Sequence, residues 1–239
     1  MSPDDFTDIE DCLGYTFISR NVLIEALTHK SFSHEHPETD LPHNERLEFL
    51  GDSVLGLVIV EHLFLLDIRF RESVMAKIKS YLVKESVLFE IANSFSLGKY
   101  LRLGKGEELT GGRTKKSILA DTLEALLGAI YLDGGYSRVR DIILNLFRER
   151  IDAVLSSGEL QDFKTELQEK TQVHFGTLPE YRIIRQEGED HLKVFTVEVF
   201  IKGIRYGAGS GKSKKEAERV AAREALAGLP NPGVSFERR

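Results

Sequence analysis

Apolar residues recur at helical spacing through the first two thirds of the chain, then switch to alternation. Val22, Leu23, Ala26 and Leu27 predict a helix over Asn21–His29. The same period predicts helices over Glu45–Leu65, Ser73–Val83, Ser86–Phe95, Lys116–Leu132 and Arg138–Leu155. Breaks fall where Gly and Pro cluster: His36-Pro37, Leu41-Pro42, Gly104–Gly112 and Gly134-Gly135. After the short polar stretch Ser156–Asp162 the pattern changes. Phe163–Phe175 is helical. Glu180–Arg185, His191–Ile201 and Ile204–Gly207 read as strands rich in β-branched and aromatic residues, and Ser213–Gly228 as an Ala-rich helix. The expected fold is multidomain α+β: an all-α unit over 1–155, a linker over 156–161, an α-β-β-β-α unit over 162–230 and a tail over 231–239. The tail is expected to be disordered.

Composition bounds the function. The chain of 239 residues is 41% hydrophobic and 29% charged, an ordinary globular mix. Its single cysteine, Cys12, excludes an internal disulfide framework and a cysteine-rich zinc site, and fits a reducing compartment. The longest apolar runs, Val54–Val60 and Ala125–Leu132, are far short of the ~20 residues of a membrane span. The acidic start MSPDDFTDIED lacks the order of a signal peptide. The expectation is a cytoplasmic protein without membrane contact. Net charge is −6, but the total hides a split. Residues 161–239 carry 14 Lys and Arg against 12 Asp and Glu, a balance of +2; the remainder carries 18 against 26, a balance of −8. Such asymmetry points to a basic binding module beside an acidic one.

The acids are not scattered. Glu45, Glu48 and Asp52, spaced i, i+3, i+7 on an apolar helix, lie within about 60° of one another. Asp121 and Glu124 form a second acid pair among Ile118, Leu119, Leu123, Leu126 and Leu127. Gly51, Gly56 and Gly128 sit beside these strips, where glycine weakens a helix unless close approach requires it. Two readings stand. The strips are solvated helix faces, or they face each other as an oxygen cage whose charge needs cations or retained protons. Carboxylate-only ligation suits Mg²⁺ or Mn²⁺ rather than Zn²⁺.

The segments Ala26–Phe32 (ALTHKSF), Asn44–Leu55 (NERLEFLGDSVL) and Ser117–Asp133 (SILADTLEALLGAIYLD) resemble the ribonuclease III family. The resemblance spans about residues 10–150 and is most specific over Glu45–Ser53. It implies an all-helical endonuclease domain that cuts double-stranded RNA with Mg²⁺, Mn²⁺ being a substitute. It places Glu48, Asp121 and Glu124 as metal ligands, Asp52 and Glu124 as catalytic residues, and Glu45 and Glu72 as accessory acids near the scissile strand. Expected products carry 5′-phosphate and 3′-hydroxyl ends. It also implies a homodimer, with Phe49 on the contact face. The residues themselves say only that Val54–Leu66 is too apolar to stay solvated, whether as internal core or as partner surface.

The helix–three strands–helix order at 162–229 resembles the double-stranded RNA-binding domain. Such domains read A-form shape across ~16 base pairs. Ser213 and Glu216 form a capping box, placing Lys212, Lys214 and Lys215 at the positive end of a helix, where they can grip phosphates. By resemblance, Thr165, Gln168 and Glu169 face minor-groove 2′-hydroxyls and His191 sits in a hairpin loop touching a second minor groove. Gly188–His191 carries two acids where the family often has a proline.

Three rival signals are weaker. Gly209–Ser213 (GSGKS) has a phosphate-loop flavour, but Tyr206 stands where that motif requires Gly. No nucleotide cofactor is therefore expected. His34, His36 and His43 are expected in a polar loop, with a structural Zn²⁺ as the alternative. Gly104–Lys116 is expected to be a mobile loop. The reading the sequence favours is a Mg²⁺-dependent endoribonuclease that processes ribosomal, messenger and transfer RNA precursors. A non-catalytic double-stranded RNA-binding or ribosome-associated protein of the same fold is the alternative. A hydrolase of small phosphorylated substrates is a third reading. The presence of Glu48, Asp52, Asp121 and Glu124 together favours the enzyme.

Overall fold

The computed structural model describes residues 6–67, 70–157, 163–188 and 193–229. His191, residues 158–161 of the linker and the tail lie outside them. The chain divides into two compact units, Met1–Leu160 and Gln161–Arg239.

The first unit is helical: α1 (Thr7–Leu13), α2 (Arg20–Ala26), α3 (Lys30–Glu35), α4 (Glu45–Leu66), α5 (Glu72–Leu82), α6 (Glu85–Ser94), α7 (Lys105–Leu109) and α8 (Lys116–Ser157). The two helices expected at 116–155 are one element interrupted at Gly135, whose φ of 78° is open to glycine without strain. The centre of the unit is the crossing of α4 and α8. Leu55, Ile59 and Leu63 of α4 and Leu123, Leu126, Leu127 and Ile130 of α8 are fully buried there. Two glycines set the spacing. A Cβ on Gly51 would overlap the carbonyl oxygen of Glu124, and one on Gly128 would overlap that of Leu47.

Several elements differ from the sequence expectation. α1 is masked in the hydrophobic pattern by its acids, yet Ile9 and Leu13 anchor it with Phe6 and Phe17 in the core. His34 lies on α3 rather than in a loop. That short helix buries no residue, so it leaves no periodic trace. Residues 104–115 are tied down rather than loose. The Glu35 carboxylate accepts hydrogen bonds from the Lys105 and Gly106 amides at 2.7 and 3.3 Å, and Ser31 Oγ accepts from Gly104 N at 2.9 Å. Arg113 Nη1 donates to the carbonyls of Gly98 and Leu101 at 2.8 and 2.9 Å. Uninterrupted apolar runs also understate α4. Its 22 residues are long and apolar enough by length and composition to cross a membrane, because only isolated charged residues interrupt them. Part of that apolar surface packs inside the unit; Phe49, Leu57, Phe64 and Leu65 stay exposed.

The second unit has α9 (Phe163–Phe175), then an antiparallel sheet of β1 (Glu180–Glu187), β2 (Val194–Ile201) and β3 (Ile204–Gly211) in that order, then α10 (Lys214–Gly228). Lys202 and Gly203 both take positive φ in the tight β2–β3 turn. Val197, Val199 and Ile201 bury one face of β2 with Leu167 of α9 and Ala217, Ala221, Ala222 and Ala225 of α10. β3 runs four residues beyond its expected end and takes in most of the GSGKS segment. Its alternate glycines are seats for α10: a Cβ on Gly207 or Gly209 would overlap the backbone at Ala217, Ala221 or Ala225. Close helix–sheet packing accounts for these glycines without a phosphate.

Candidate functional site

The signature segment enters α4 through Asn44. This residue is buried, and its amide donates to Thr28 O at 2.9 Å. Glu45 and Glu48 occupy the first turns of α4, where the helix dipole favours negative charge. Asp52 follows one turn later and is exposed. Because Gly51 and Gly128 let the two helix backbones nearly touch, Glu48 meets Asp121 and Glu124 of α8. One carboxylate oxygen from each of these three lies within 4.8 Å of the others. All three side chains are half-buried.

Such proximity is costly for free anions, and the proton equilibria carry the cost. Burial, then the charges of Asp52, Asp121 and Glu48, push the Glu124 carboxyl up to about 8. Glu48 is raised by burial and by Asp121 and Glu45. Asp121 is raised by burial and by Glu85, the first residue of α6. Perturbed acids converging at one place are a mark of functional sites. The donor set is oxygen only. Three carboxylate oxygens within 4.8 Å of one another, with no nitrogen or sulfur donor among them, suit a hard divalent cation.

The remaining expected positions fall outside the trio. Glu45 is exposed and paired with Lys30, whose Nζ donates to Oε1 at 2.9 Å. That bond holds its carboxyl below the usual range. Glu72 opens α5 and is exposed. His34, His36 and His43 form no comparable ligand group among the described residues; His34 and His43 stack edge to face at 6.4 Å. Sequence reasoning overlooks Lys30 and Glu85. Lys30 lies inside the ALTHKSF segment and its charge opposes the neighbouring acids, a signal that is available there. Glu85 has no such mark.

In the second unit, Thr165, Gln168 and Glu169 are exposed along α9, and Lys212, Lys214 and Lys215 are exposed at the start of α10. Ser213 Oγ accepts from Glu216 N at 3.1 Å, completing half of the capping box. The reciprocal bond is displaced by one residue. The Glu216 carboxylate accepts from Lys212 N at 2.8 Å rather than from the Ser213 amide. The result still fixes the lysine-bearing turn.

Known proteins resemble both units. A family described as "Ribonuclease-III-like" matches residues 19–151, and the "Double-stranded RNA binding motif" matches residues 163–229. A protein named Ribonuclease 3 from Geobacter metallireducens is 47% identical over 222 residues, covering 92% of this chain and 90% of its own length. Another of that name, from Syntrophotalea carbinolica, is 45% identical over 218 residues, covering 91% and 94%. A solved nuclease domain of ribonuclease III from Campylobacter jejuni, described for flexibility in a region involved in dimer formation, is 42% identical. It covers 61% of this chain and 97% of its own, with a TM-score of 0.57.

Proposed function

The chain belongs to the ribonuclease III family, and from that premise we propose that it is a divalent-metal-dependent endoribonuclease of double-stranded RNA. The observation that carries this reading is the convergence of Glu48, Asp121 and Glu124, joined in one chain to a double-stranded RNA binding motif. A non-catalytic RNA-binding protein has no need to hold three partly buried acids against their mutual repulsion.

Glu48, Asp121 and Glu124 would hold the ion, Mg²⁺ or in its place Mn²⁺. When bound, it supplies a Lewis acid for the scissile phosphate and a lowered pKa for the attacking water. Asp52, exposed beside Glu124, would orient the attacking water and accept its proton. A bound cation would favour the ionised form of Glu124, which burial and the neighbouring acids disfavour in the free site. Glu45 and Glu72, both exposed, line the approach of the strand. Attack at phosphorus leaves 5′-phosphate and 3′-hydroxyl ends. No side-chain nucleophile enters the scheme.

Exposed Thr165, Gln168, Glu169, Lys212, Lys214 and Lys215 engage the duplex. The lysines grip phosphates and the α9 face reads shape. A second copy of the chain covers the apolar face of α4, where Phe49 is 79% exposed and Phe64 67%. Patches of that kind mark partner surfaces. Ribosomal precursors and structured messenger and transfer RNA transcripts, met in the cytoplasm, are the proposed substrates; the unpaired, exposed Cys12 supports a reducing location.

The test is incubation of the full chain with a long RNA duplex, with Mg²⁺ and with EDTA. Metal-dependent cleavage, lost in Glu124→Gln while duplex binding persists, supports the reading. Binding without cleavage under every metal condition favours the non-catalytic alternative.

A further inference from the structure

A cation is already fixed beside the carboxylate trio. Lys30 is the first residue of α3, and its Nζ sits 2.9 Å from Glu45 Oε1. Glu45 is one helical turn before Glu48 on α4. The lysine backbone is not free to drift. The preceding His29 donates its amide to Arg102 O at 3.0 Å and accepts the Ser31 amide on Nδ1 at 3.2 Å. The following Ser31 is held to Gly104 at 2.9 Å. Thr28, two residues earlier, accepts the amide of Asn44 at the mouth of α4. The Thr28–Ser31 segment is thereby laced both to the start of the acidic helix and to the backbone of residues 102–104. The lysine side chain is itself 52% exposed, so this lacing fixes its backbone and the bond to Glu45 sets its direction.

We propose that Lys30 is a positioning residue of the metal site: a built-in counter-ion that holds Glu45 aside from the trio and offsets part of its charge until the divalent ion enters. The inference rests on the proposed metal role of Glu48, Asp121 and Glu124. Lys30 also stands close enough to Glu48 and Asp121 for its charge to act on both. Two consequences follow from electrostatics alone. A fixed positive charge beside the site repels the incoming ion, so affinity for the metal is set lower than the acids alone would give. Glu45, held by Lys30, is withheld as an additional oxygen ligand. Removal of the lysine charge acts in the same direction through both routes.

The test is Mn²⁺ binding to the full-length protein without RNA, followed by the loss of the free-ion electron paramagnetic resonance signal. Lys30→Gln is expected to bind Mn²⁺ more tightly than the wild type, on the order of fivefold, and Lys30→Arg to match the wild type. A merely structural role would loosen the site and weaken binding. Equal or weaker binding by Lys30→Gln overturns the inference. Tighter binding by Lys30→Arg as well overturns it too, since charge would then not be the cause. Asp121→Asn in parallel separates the two levels: if the wild type binds no Mn²⁺, or binds it equally after Asp121→Asn, the metal site itself is wrong and the inference falls with it. Circular dichroism of Lys30→Gln confirms that binding is compared between folded proteins, and Glu45→Gln, which frees the lysine instead, is expected to bind Mn²⁺ no more tightly than the wild type.

Discussion

Gly51 and Gly56, on the same helix, should respond to alanine in opposite ways. In Gly51→Ala the new Cβ would overlap the backbone carbonyl of Glu124 and lie 3.1 Å from the amide nitrogen of Gly128. Neither is the end of a flexible side chain, so α4 and α8 must separate. Overpacking of this kind costs about 1–3 kcal/mol, and more where backbone itself must move. Replacing Gly by Ala within a helix returns about 1 kcal/mol. The expected net loss is about 2 kcal/mol, or roughly 4–8 °C in the transition of the nuclease unit. Gly56→Ala meets only Cε and Nζ of Lys79, at 3.2 and 3.3 Å, which can swing away. There the propensity gain should win, by up to about 1 kcal/mol. Urea titration of both variants, followed by circular dichroism, reads the difference. Because Glu48 and Glu124 face each other across the Gly51 crossing, Gly51→Ala should also lose most duplex cleavage while Gly56→Ala retains it. A Gly51→Ala protein as stable and active as the wild type would refute the close-approach account of the site.

Further outcomes follow from the same geometry. In EDTA, folded Glu124 titrates near 8 against an ordinary 4.5, so the folded protein holds a proton that the unfolded chain has lost. Stability should therefore fall as pH rises from about 4.5 to about 8. The whole interval corresponds to ~5 kcal/mol; solvent screening of a half-exposed cluster reduces this to about 2 kcal/mol. Glu124→Gln should be more stable than the wild type at pH 8.5 and equal to it near pH 4.5; a difference independent of pH would contradict this. Replacing Lys212, Lys214 and Lys215 by Ala should weaken duplex binding and flatten the slope of log affinity against log salt by ~0.9 for each phosphate no longer neutralised. An unchanged slope would remove these lysines from the interface. Gly209→Ala should unfold the second unit, since its Cβ would overlap the backbone at Ala217 and Ala221; a near-native circular dichroism spectrum at low temperature would show that α10 can lift away cheaply.

Periodicity makes the long elements legible. α4, α5, α6 and the start of α8 appear within a residue or two of where apolar spacing places them, because each buries a continuous stripe. α1 and α3 are not legible, because acids mask the apolar positions of α1 and α3 buries nothing; α2, no longer than α1, is legible because Leu23 and Ala26 are buried among further apolar residues. The ordering of residues 104–115 is likewise invisible. It depends on Glu35, Ser31 and Arg113 reaching backbone groups that no local pattern connects. At the site, spacing puts the acids on two helix faces but leaves open whether those faces meet. Gly51 and Gly128 carry the hint, and the structure brings Glu48 to Asp121 and Glu124 while leaving Asp52, Glu45 and Glu72 exposed outside that trio. Lys30 shows the opposite failing. It stands in plain view within a recognised segment, and only its distance to Glu45 reveals a partner fifteen residues away.

The central claim is that carboxylates from two crossing helices share one divalent cation. Crystals of the full chain soaked in Mn²⁺ and measured at the manganese absorption edge address it directly. An anomalous peak within bonding distance of Glu48, Asp121 and Glu124 is the predicted result. Fully ordered side chains there with no peak, at Mn²⁺ concentrations that support duplex cleavage, would contradict it.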